Sequence, residues 1–133
     1  DSIIFHEEAT PHAHRCCHAI RELGCLSGVA INPGTPIEVV SELGEMADMV
    51  LAMTVNPGWG GQPFIGTSPD KVRRLRSLVG EDTLIEVDGG IGTGTVGQMA
   101  EAGATLFVAG SAIFGADDPA QAYADIASAA EQA

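Results

Sequence analysis

The stretch MVLAMTVNPGWGGQPF, residues 49–64, joins an apolar run to a glycine-rich loop. The run Met49–Val55 is apolar except for one threonine, which is typical of a strand buried on both faces of a parallel sheet. Residues 57–61 then read PGWGG, and a surface turn does not need this many backbone breakers around a tryptophan. The composition predicts a loop that approaches a ligand closely and closes over it.

The same alternation of apolar run and amphipathic segment extends along the whole chain. The other predicted strands are Ser2–Phe5, Leu26–Ile31, Leu84–Val87 and Leu106–Ala109. The predicted helices are His12–Leu23, Pro36–Leu43, Ser68–Leu78, Thr93–Ala102 and Pro119–Gln132. Strand, loop and helix repeated in this way predict an α/β fold with a parallel sheet.

The positions of the glycine-rich turns distinguish between α/β folds. A doubly wound nucleotide fold places such a turn after its first strand, but the first strand here runs into HEEATPH, without glycine. The glycine-rich turns follow the third, fourth and fifth strands, where a (β/α)8 TIM barrel builds its active site. Such a barrel needs eight strands and about 250 residues. We therefore predict that residues 1–133 form a single domain, a partial barrel of about five βα units that lacks the first three strands.

Composition and charge exclude several classes of partner. The formal net charge is −12 with only six Lys and Arg, which argues against nucleic acid and anionic membranes. A bound anion would therefore be held by backbone N–H groups. The three cysteines, Cys16, Cys17 and Cys25, form no C-x-x-C pair, so we expect a reducing, cytoplasmic location.

Two further strand ends carry candidate functional residues. In LIEVDGGI, residues 84–91, the strand delivers Asp88 to its carboxyl end, and two glycines follow. In VAGSAIFG, residues 108–115, the backbone of Gly110 and Ser111 has the composition of a phosphate cradle. Each motif alone also fits an ordinary turn, in which an aspartate caps the following backbone. Their combination with the glycine-rich loop is more specific.

Together these motifs resemble the ribulose-phosphate 3-epimerase family. The matching segments are HEEAT at 6–10, NPGTP at 32–36, MTVNPGWGGQPF at 53–64, EVDGGI at 86–91 and VAGSAIFG at 108–115. The resemblance covers the whole chain, and Trp59 stands where the family usually has phenylalanine. It implies an isomerase that inverts C3 of a ketose phosphate, most simply D-ribulose 5-phosphate to D-xylulose 5-phosphate.

The resemblance also implies roles for individual residues. Asp88 would be a catalytic carboxylate and a ligand of a divalent metal ion (Zn, Fe, Mn or Co). Met53 would pack beside the reacting carbons. The remaining implied substrate contacts are Gly58, Trp59, Gly60 and Gly61 in the loop that covers the substrate, with Gly89, Gly90, Gly110 and Ser111 around its phosphate. We expect a homo-oligomer when the protein is full length.

The sequence departs from the family by lacking its second carboxylate and its metal-binding histidines, since no MDGHFVPN-like or DVHLM-like segment is present. Asp88 is then one metal ligand of four and one base of two, and the chain alone is predicted to be inactive. A hexulose-phosphate 3-epimerase, and a non-catalytic fragment that only binds phosphate, stay open as alternatives. HAHRCCH, residues 12–18, has histidines at a zinc-like spacing, but a solvated helix start is favoured. His6 is expected to be a wall of the pocket.

Overall fold

The computed structural model describes all of residues 1–133 and contains one five-stranded sheet. The strands are β1 Ser2–His6, β2 Leu26–Ile31, β3 Met49–Met53, β4 Leu84–Asp88 and β5 Leu106–Val108. Neighbouring strands are parallel, and their order in the sheet is their order in the sequence. The predicted α/β fold with a parallel sheet is confirmed.

Helices follow the strands, with one departure from prediction. They are α1 Ala13–Glu22, α2 Ser68–Val79, α3 Val96–Ala102, α4 Ser111–Phe114 and α5 Pro119–Glu131. The prediction of a helix over Pro36–Leu43 is wrong, because this segment forms a 3-10 turn, Ile37–Val40, and a second one follows at Gly44–Met46. Its buried residues Ile37, Val40 and Leu43 recur every third position, which suits the three residues per turn of a 3-10 helix.

The core lies between the sheet and the helices. Alternate strand residues such as Val29, Val50 and Ile85 are completely buried, and they belong to one apolar cluster with Leu75 of α2 and Met99 of α3. The full set of completely buried apolar side chains in that cluster is Cys17, Val29, Ile31, Val50, Val72, Leu75, Ile85, Val87, Val96 and Met99. Because side chains alternate along a strand, the remaining strand residues face the opposite side of the sheet.

Those opposite-facing residues form two rows across the strands. The first row is His6, Ala30, Leu51, Glu86 and Leu106, and the second, nearer the strand ends, is Met53, Asp88 and Val108. The parallel register therefore places Asp88 between Met53 and Val108 at the carboxyl end of the sheet.

Two basic side chains of α2, Lys71 and Arg76, are bound to backbone carbonyls of the protein, although a charged helix face is usually solvated. The Lys71 Nζ donates hydrogen bonds to the carbonyls of residues 32, 33 and 35, at 2.9, 3.1 and 2.7 Å. Arg76 donates to the carbonyls of residues 80, 83 and 103. Long basic side chains reach loop carbonyls that secondary structure leaves unpaired, which the local sequence does not reveal.

Candidate active site

A cavity of about 430 Å³ lies at the carboxyl ends of the strands, and all ten predicted site residues line it. These are Met53 of β3, Gly58, Trp59, Gly60 and Gly61 of the following loop, Asp88, Gly89 and Gly90 at the end of β4, and Gly110 and Ser111 after β5. The structure thus brings together segments that are far apart in the sequence. The individual roles of these residues stay predictions.

Asp88 is the only acidic residue that lines this cavity. Its backbone is fixed because its carbonyl accepts a hydrogen bond from the Thr54 N–H at 2.9 Å. Burial raises the pKa of the Asp88 carboxyl above its ordinary range, and no hydrogen bond counteracts this effect. A carboxylate with a raised pKa is a stronger base, so this environment suits proton abstraction.

Glu86 is a second carboxylate close to Asp88, which the sequence did not single out, but it does not itself line the cavity. It lies two residues before Asp88 on β4, and strand alternation gives both the same face of the sheet. Burial, and then the nearby Asp88, raise the pKa of Glu86. Two such residues are about 7 Å apart along one strand. Both side chains belong to one face of the sheet, and Glu86 is outside the cavity lining, so Glu86 cannot serve the opposite face of a reacting carbon.

The two glycines after Asp88 are required by packing as well as by any ligand. A Cβ atom on Gly89 would lie 2.8 Å from the Val55 backbone nitrogen, and one on Gly90 would lie 2.9 Å from the backbone of Phe64. Both glycines also have positive φ, at 125° and 67°. The close approach joins the loop after β4 to both ends of the glycine-rich loop after β3.

The glycine-rich loop has its own internal structure. Gly58 and Gly61 have positive φ, at 144° and 75°, whereas Gly60 does not. No protein atom lies within 4 Å of a Cβ built at Gly60, and its contact with the substrate stays a prediction. The Gln62 side chain donates to the carbonyls of residues 56 and 59 at 2.6 and 3.0 Å, while the Trp59 residue is 70% exposed.

Four backbone N–H groups on residues that line the cavity have no hydrogen-bond partner. The N–H groups of Gly89, Gly90, Gly110 and Ser111 have no hydrogen-bond partner in the protein. Gly110 and Ser111 lie at the start of α4, and all four residues line the same cavity. Unpaired N–H groups on residues that line one cavity are suited to an anion such as phosphate.

The residues present do not form a complete metal site. No group of three or more His, Cys, Asp and Glu side chains could hold an ion, so Asp88 would be a single ligand. His12, His14 and His18 are exposed at or near α1, outside the cavity, and His18 lies 3.7 Å from Glu22 of its own helix. The favoured interpretation of a solvated helix start agrees with this exposure.

His6 lines the cavity wall, as expected, and is paired with a carboxylate. Its Nδ1 lies 3.0 Å from Glu8 Oε1, and Glu8 Oε2 accepts a hydrogen bond from the Asn32 N–H at 2.8 Å and another from the Thr35 hydroxyl. Burial raises the pKa of Glu8, but the hydrogen bonds from Asn32, Thr35 and His6 outweigh it and lower the pKa to about 2. Glu8 is thus a firmly held anion that joins the loops after β1 and β2.

A parallel α/β sheet with its pocket at the strand ends is typical of TIM-barrel proteins, and solved structures agree. The 3-hexulose-6-phosphate synthase of Salmonella typhimurium superposes with a TM-score of 0.74 at 24% identity, over 99% of this chain and 62% of that one. Another 3-hexulose-6-phosphate synthase gives 0.73 at 22% identity, over 97% of this chain and 61% of that one. At this level of identity the likeness shows the fold, which is of TIM-barrel type.

The sequence comparisons are more specific than the fold. The model of the ribulose-phosphate 3 epimerase family matches residues 1–114, and the chain belongs to this family. The ribulose-phosphate 3-epimerase of Rhodobacter capsulatus is 51% identical over 115 residues, which are 86% of this chain and 50% of that protein. The Bacillus subtilis enzyme is 44% identical over 130 residues, 95% of this chain and 60% of that protein. The chain therefore spans half to three-fifths of the length of these relatives.

Proposed function

We propose that this chain supplies the phosphate-binding side and one catalytic carboxylate of an epimerase that inverts C3 of a ketose phosphate, D-ribulose 5-phosphate to D-xylulose 5-phosphate. The observation that carries the proposal is the convergence of ten predicted site residues on one cavity around Asp88. Family membership over residues 1–114 supports the same reaction.

Asp88 is proposed to transfer a proton at one face of C3. Its carboxylate takes the proton, the electrons of the broken C–H bond pass into the adjacent carbonyl, and an enediolate results. A second acid then returns a proton to C3 from the other face. Asp88 is the only carboxylate among the residues that line the cavity, so the second acid is proposed to come from residues beyond those of this chain.

The phosphate of the substrate is proposed to bind the free N–H groups of Gly89, Gly90, Gly110 and Ser111. Neutral backbone donors suit a chain whose net charge is −12, because no basic cluster is needed. The loop that carries Trp59 is proposed to close over the bound sugar and keep water from the enediolate. Met53, next to Asp88 in the register, would pack beside the reacting carbons.

The predicted divalent metal ion has one candidate ligand here, Asp88, and no step of the reaction is assigned to the metal. None of the helices combines the length and apolar composition that a membrane span needs. The proposed partner is the sugar phosphate. A cytoplasmic location, suggested by three free cysteines, and a homo-oligomeric full-length protein remain predictions.

A non-catalytic role is the second candidate, because Asp88 is the only carboxylate among the residues that line the cavity. In that case the chain binds phosphate without turnover. A hexulose-phosphate 3-epimerase shares the motifs of this chain and differs from the first candidate only in substrate.

Turnover measurements distinguish these candidates. The 133-residue chain is assayed with D-ribulose 5-phosphate and with a hexulose 6-phosphate, in the presence of Zn²⁺, Fe²⁺, Mn²⁺ or Co²⁺. Each assay is run with the chain alone and again after the chain is mixed with a separately produced piece that carries the first three βα units of a relative. We expect no turnover alone and measurable turnover of the pentulose phosphate after mixing. No turnover in a mixture that demonstrably forms a complex would favour the non-catalytic role.

A further inference from the structure

A polar recess adjoins the cavity on the side away from the proposed phosphate site. It is lined by His6, Glu8, Ala9, Asn32, Asn56 and Pro57, and it has a volume of about 560 Å³. His6 and Pro57 line both the recess and the main cavity, so the two spaces share a wall. His6 ends β1, which β2 and β3 separate from β4 and Asp88.

The His6 ring is held in one orientation by Glu8. A carboxylate can only accept hydrogen bonds, so the Nδ1 facing Glu8 Oε1 at 3.0 Å carries the proton of that contact. Glu8 is itself fixed by the Asn32 N–H and the Thr35 hydroxyl. The Nε2 of His6 has no partner in the protein, and the side chain keeps 37% of its surface exposed beside the cavity.

Asn32 adds a second unused polar atom to this recess. Its backbone N–H donates to Glu8 and its carbonyl accepts from Lys71, so the backbone is fully occupied. Its side-chain Oδ1, by contrast, is buried and has no hydrogen-bond partner. Buried polar atoms are nearly always paired, so an unpaired acceptor on a residue that lines the recess suits a ligand that donates a hydrogen bond.

We propose that this recess binds the hydroxyl-bearing end of the sugar phosphate, with His6 as the contact residue and Glu8 as the residue that positions it. The inference rests on the proposed function, since it assumes a sugar whose phosphate lies at Gly90 and Ser111. With its proton on Nδ1, the neutral His6 ring offers Nε2 as an acceptor, and Oδ1 of Asn32 is also an acceptor. Two hydroxyls of the sugar would therefore each donate one hydrogen bond, one to Nε2 of His6 and one to Oδ1 of Asn32. The phosphate end and the hydroxyl end then occupy opposite sides of one cleft.

The test compares two ligands that share only the phosphate. Fluorescence of Trp59, the single tryptophan, is titrated with inorganic phosphate and with D-ribulose 5-phosphate. His6→Phe should weaken the binding of D-ribulose 5-phosphate about three- to tenfold, which corresponds to one lost hydrogen bond, and should leave the affinity for inorganic phosphate unchanged. His6→Gln, which keeps an amide near the position of Nε2, should recover part of the loss. His14→Phe, an exposed histidine of α1, is the matched control and should change neither ligand.

The positioning role of Glu8 is tested with a signal that a change in loop stability alone would not alter. The ¹⁵N chemical shifts of the His6 ring should report a proton on Nδ1 in the unmodified chain and a loss of this preference in Glu8→Gln. If His6→Phe weakens the binding of both ligands equally, or of neither, the proposed role of His6 is wrong. If the ring shifts of His6 are unchanged in Glu8→Gln, the proposed role of Glu8 is wrong. An unmodified chain that binds neither ligand would instead refute the proposed function, and this inference with it.

Discussion

At the scale of single residues, the position and the surroundings of Asp88 act together. The alternation of side chains along β4 places the Asp88 side chain on the cavity face of the sheet, and burial raises the pKa of its carboxyl. A base that keeps its proton more firmly is better matched to a weakly acidic C–H group. The glycines after it let two loops touch, so one short motif serves both packing and chemistry.

Asp88→Asn should abolish epimerisation in the reconstituted enzyme while preserving the fold. Removing a catalytic acid or base typically costs about 10²- to 10⁴-fold in rate. The measurement is the steady-state rate with D-ribulose 5-phosphate, accompanied by circular dichroism. Asp70→Asn is the control, since Asp70 is 71% exposed on α2 and pairs only with Arg74. An Asp88→Asn enzyme with normal turnover would rule out this aspartate as the base.

Gly61→Val should weaken the binding of D-ribulose 5-phosphate about tenfold. The φ of Gly61 is 75°, and a β-branched residue held there stores about 1–3 kcal/mol of strain, which the loop would relieve by changing shape. Gly66→Ala is the control and should bind within about twofold of the unmodified chain, because Gly66 does not line the cavity, its φ is not positive and no atom lies within 4 Å of a Cβ built there. Titration of the Trp59 fluorescence measures both variants. Equal affinities would mean that the loop only connects β3 to α2.

At the scale of elements, strands and their ends were predictable because their signals are local. Apolar runs located all five strands, and the residues at the ends of the third, fourth and fifth strands gave the site. The contacts between loops were not predictable, since Lys71 binds carbonyls 36 to 39 positions earlier and Glu8 binds an N–H 24 positions later. Such partners are defined only when the sheet has brought two strand ends side by side.

Lys71→Met should lower the free energy of unfolding by about 1–3 kcal/mol, the cost of leaving buried hydrogen-bonding groups without partners. Lys71 serves three carbonyls of the loop after β2, and Met keeps much of its length without the charge. Arg73→Met on the exposed face of the same helix is the control and should change the stability by less than about 0.5 kcal/mol. Urea denaturation compares the two, and equal losses would show that the lysine contacts contribute nothing specific.

Glu8 should make stability depend on pH in the acid range. The pKa of Glu8 falls from an ordinary 4.5 to about 2 in the folded protein. Its contribution to the free energy of unfolding is therefore complete above about pH 4.5 and is lost as the pH falls toward 2. Allowing for its partial exposure, the contribution is on the order of 1 kcal/mol. The difference in unfolding free energy between the unmodified chain and Glu8→Gln measures it. A difference that stays constant from pH 6 to pH 2.5 would contradict this assignment.

At the scale of the whole molecule, the sheet has two strands with one neighbour each. β1 pairs only with β2, and β5 pairs only with β4. Apolar side chains near these edges are exposed, among them Ile3 at 42%, Leu106 at 38% and Val108 at 39%. Unpaired strand edges with apolar side chains favour association with other chains.

The isolated chain should therefore self-associate at micromolar concentration, as size-exclusion chromatography with light scattering would show. Ile3→Lys should shift the population toward monomer, because a charge on an edge strand opposes pairing. Leu23→Lys is the control, since Leu23 is 73% exposed just after α1 and away from the sheet. A chain that is monomeric without any substitution would contradict the prediction.

The agreement between strand order and sequence order has a consequence for the synthesis of the protein. Each strand pairs with the one that precedes it in the chain, so no strand waits for a later segment to be inserted between it and its partner. As successive βα units leave the ribosome, each new strand can pair with the exposed edge of the strand before it. The sheet then grows at one edge only. Folding in this order keeps every new pairing between adjacent units, which limits the loop-closure entropy that each step costs.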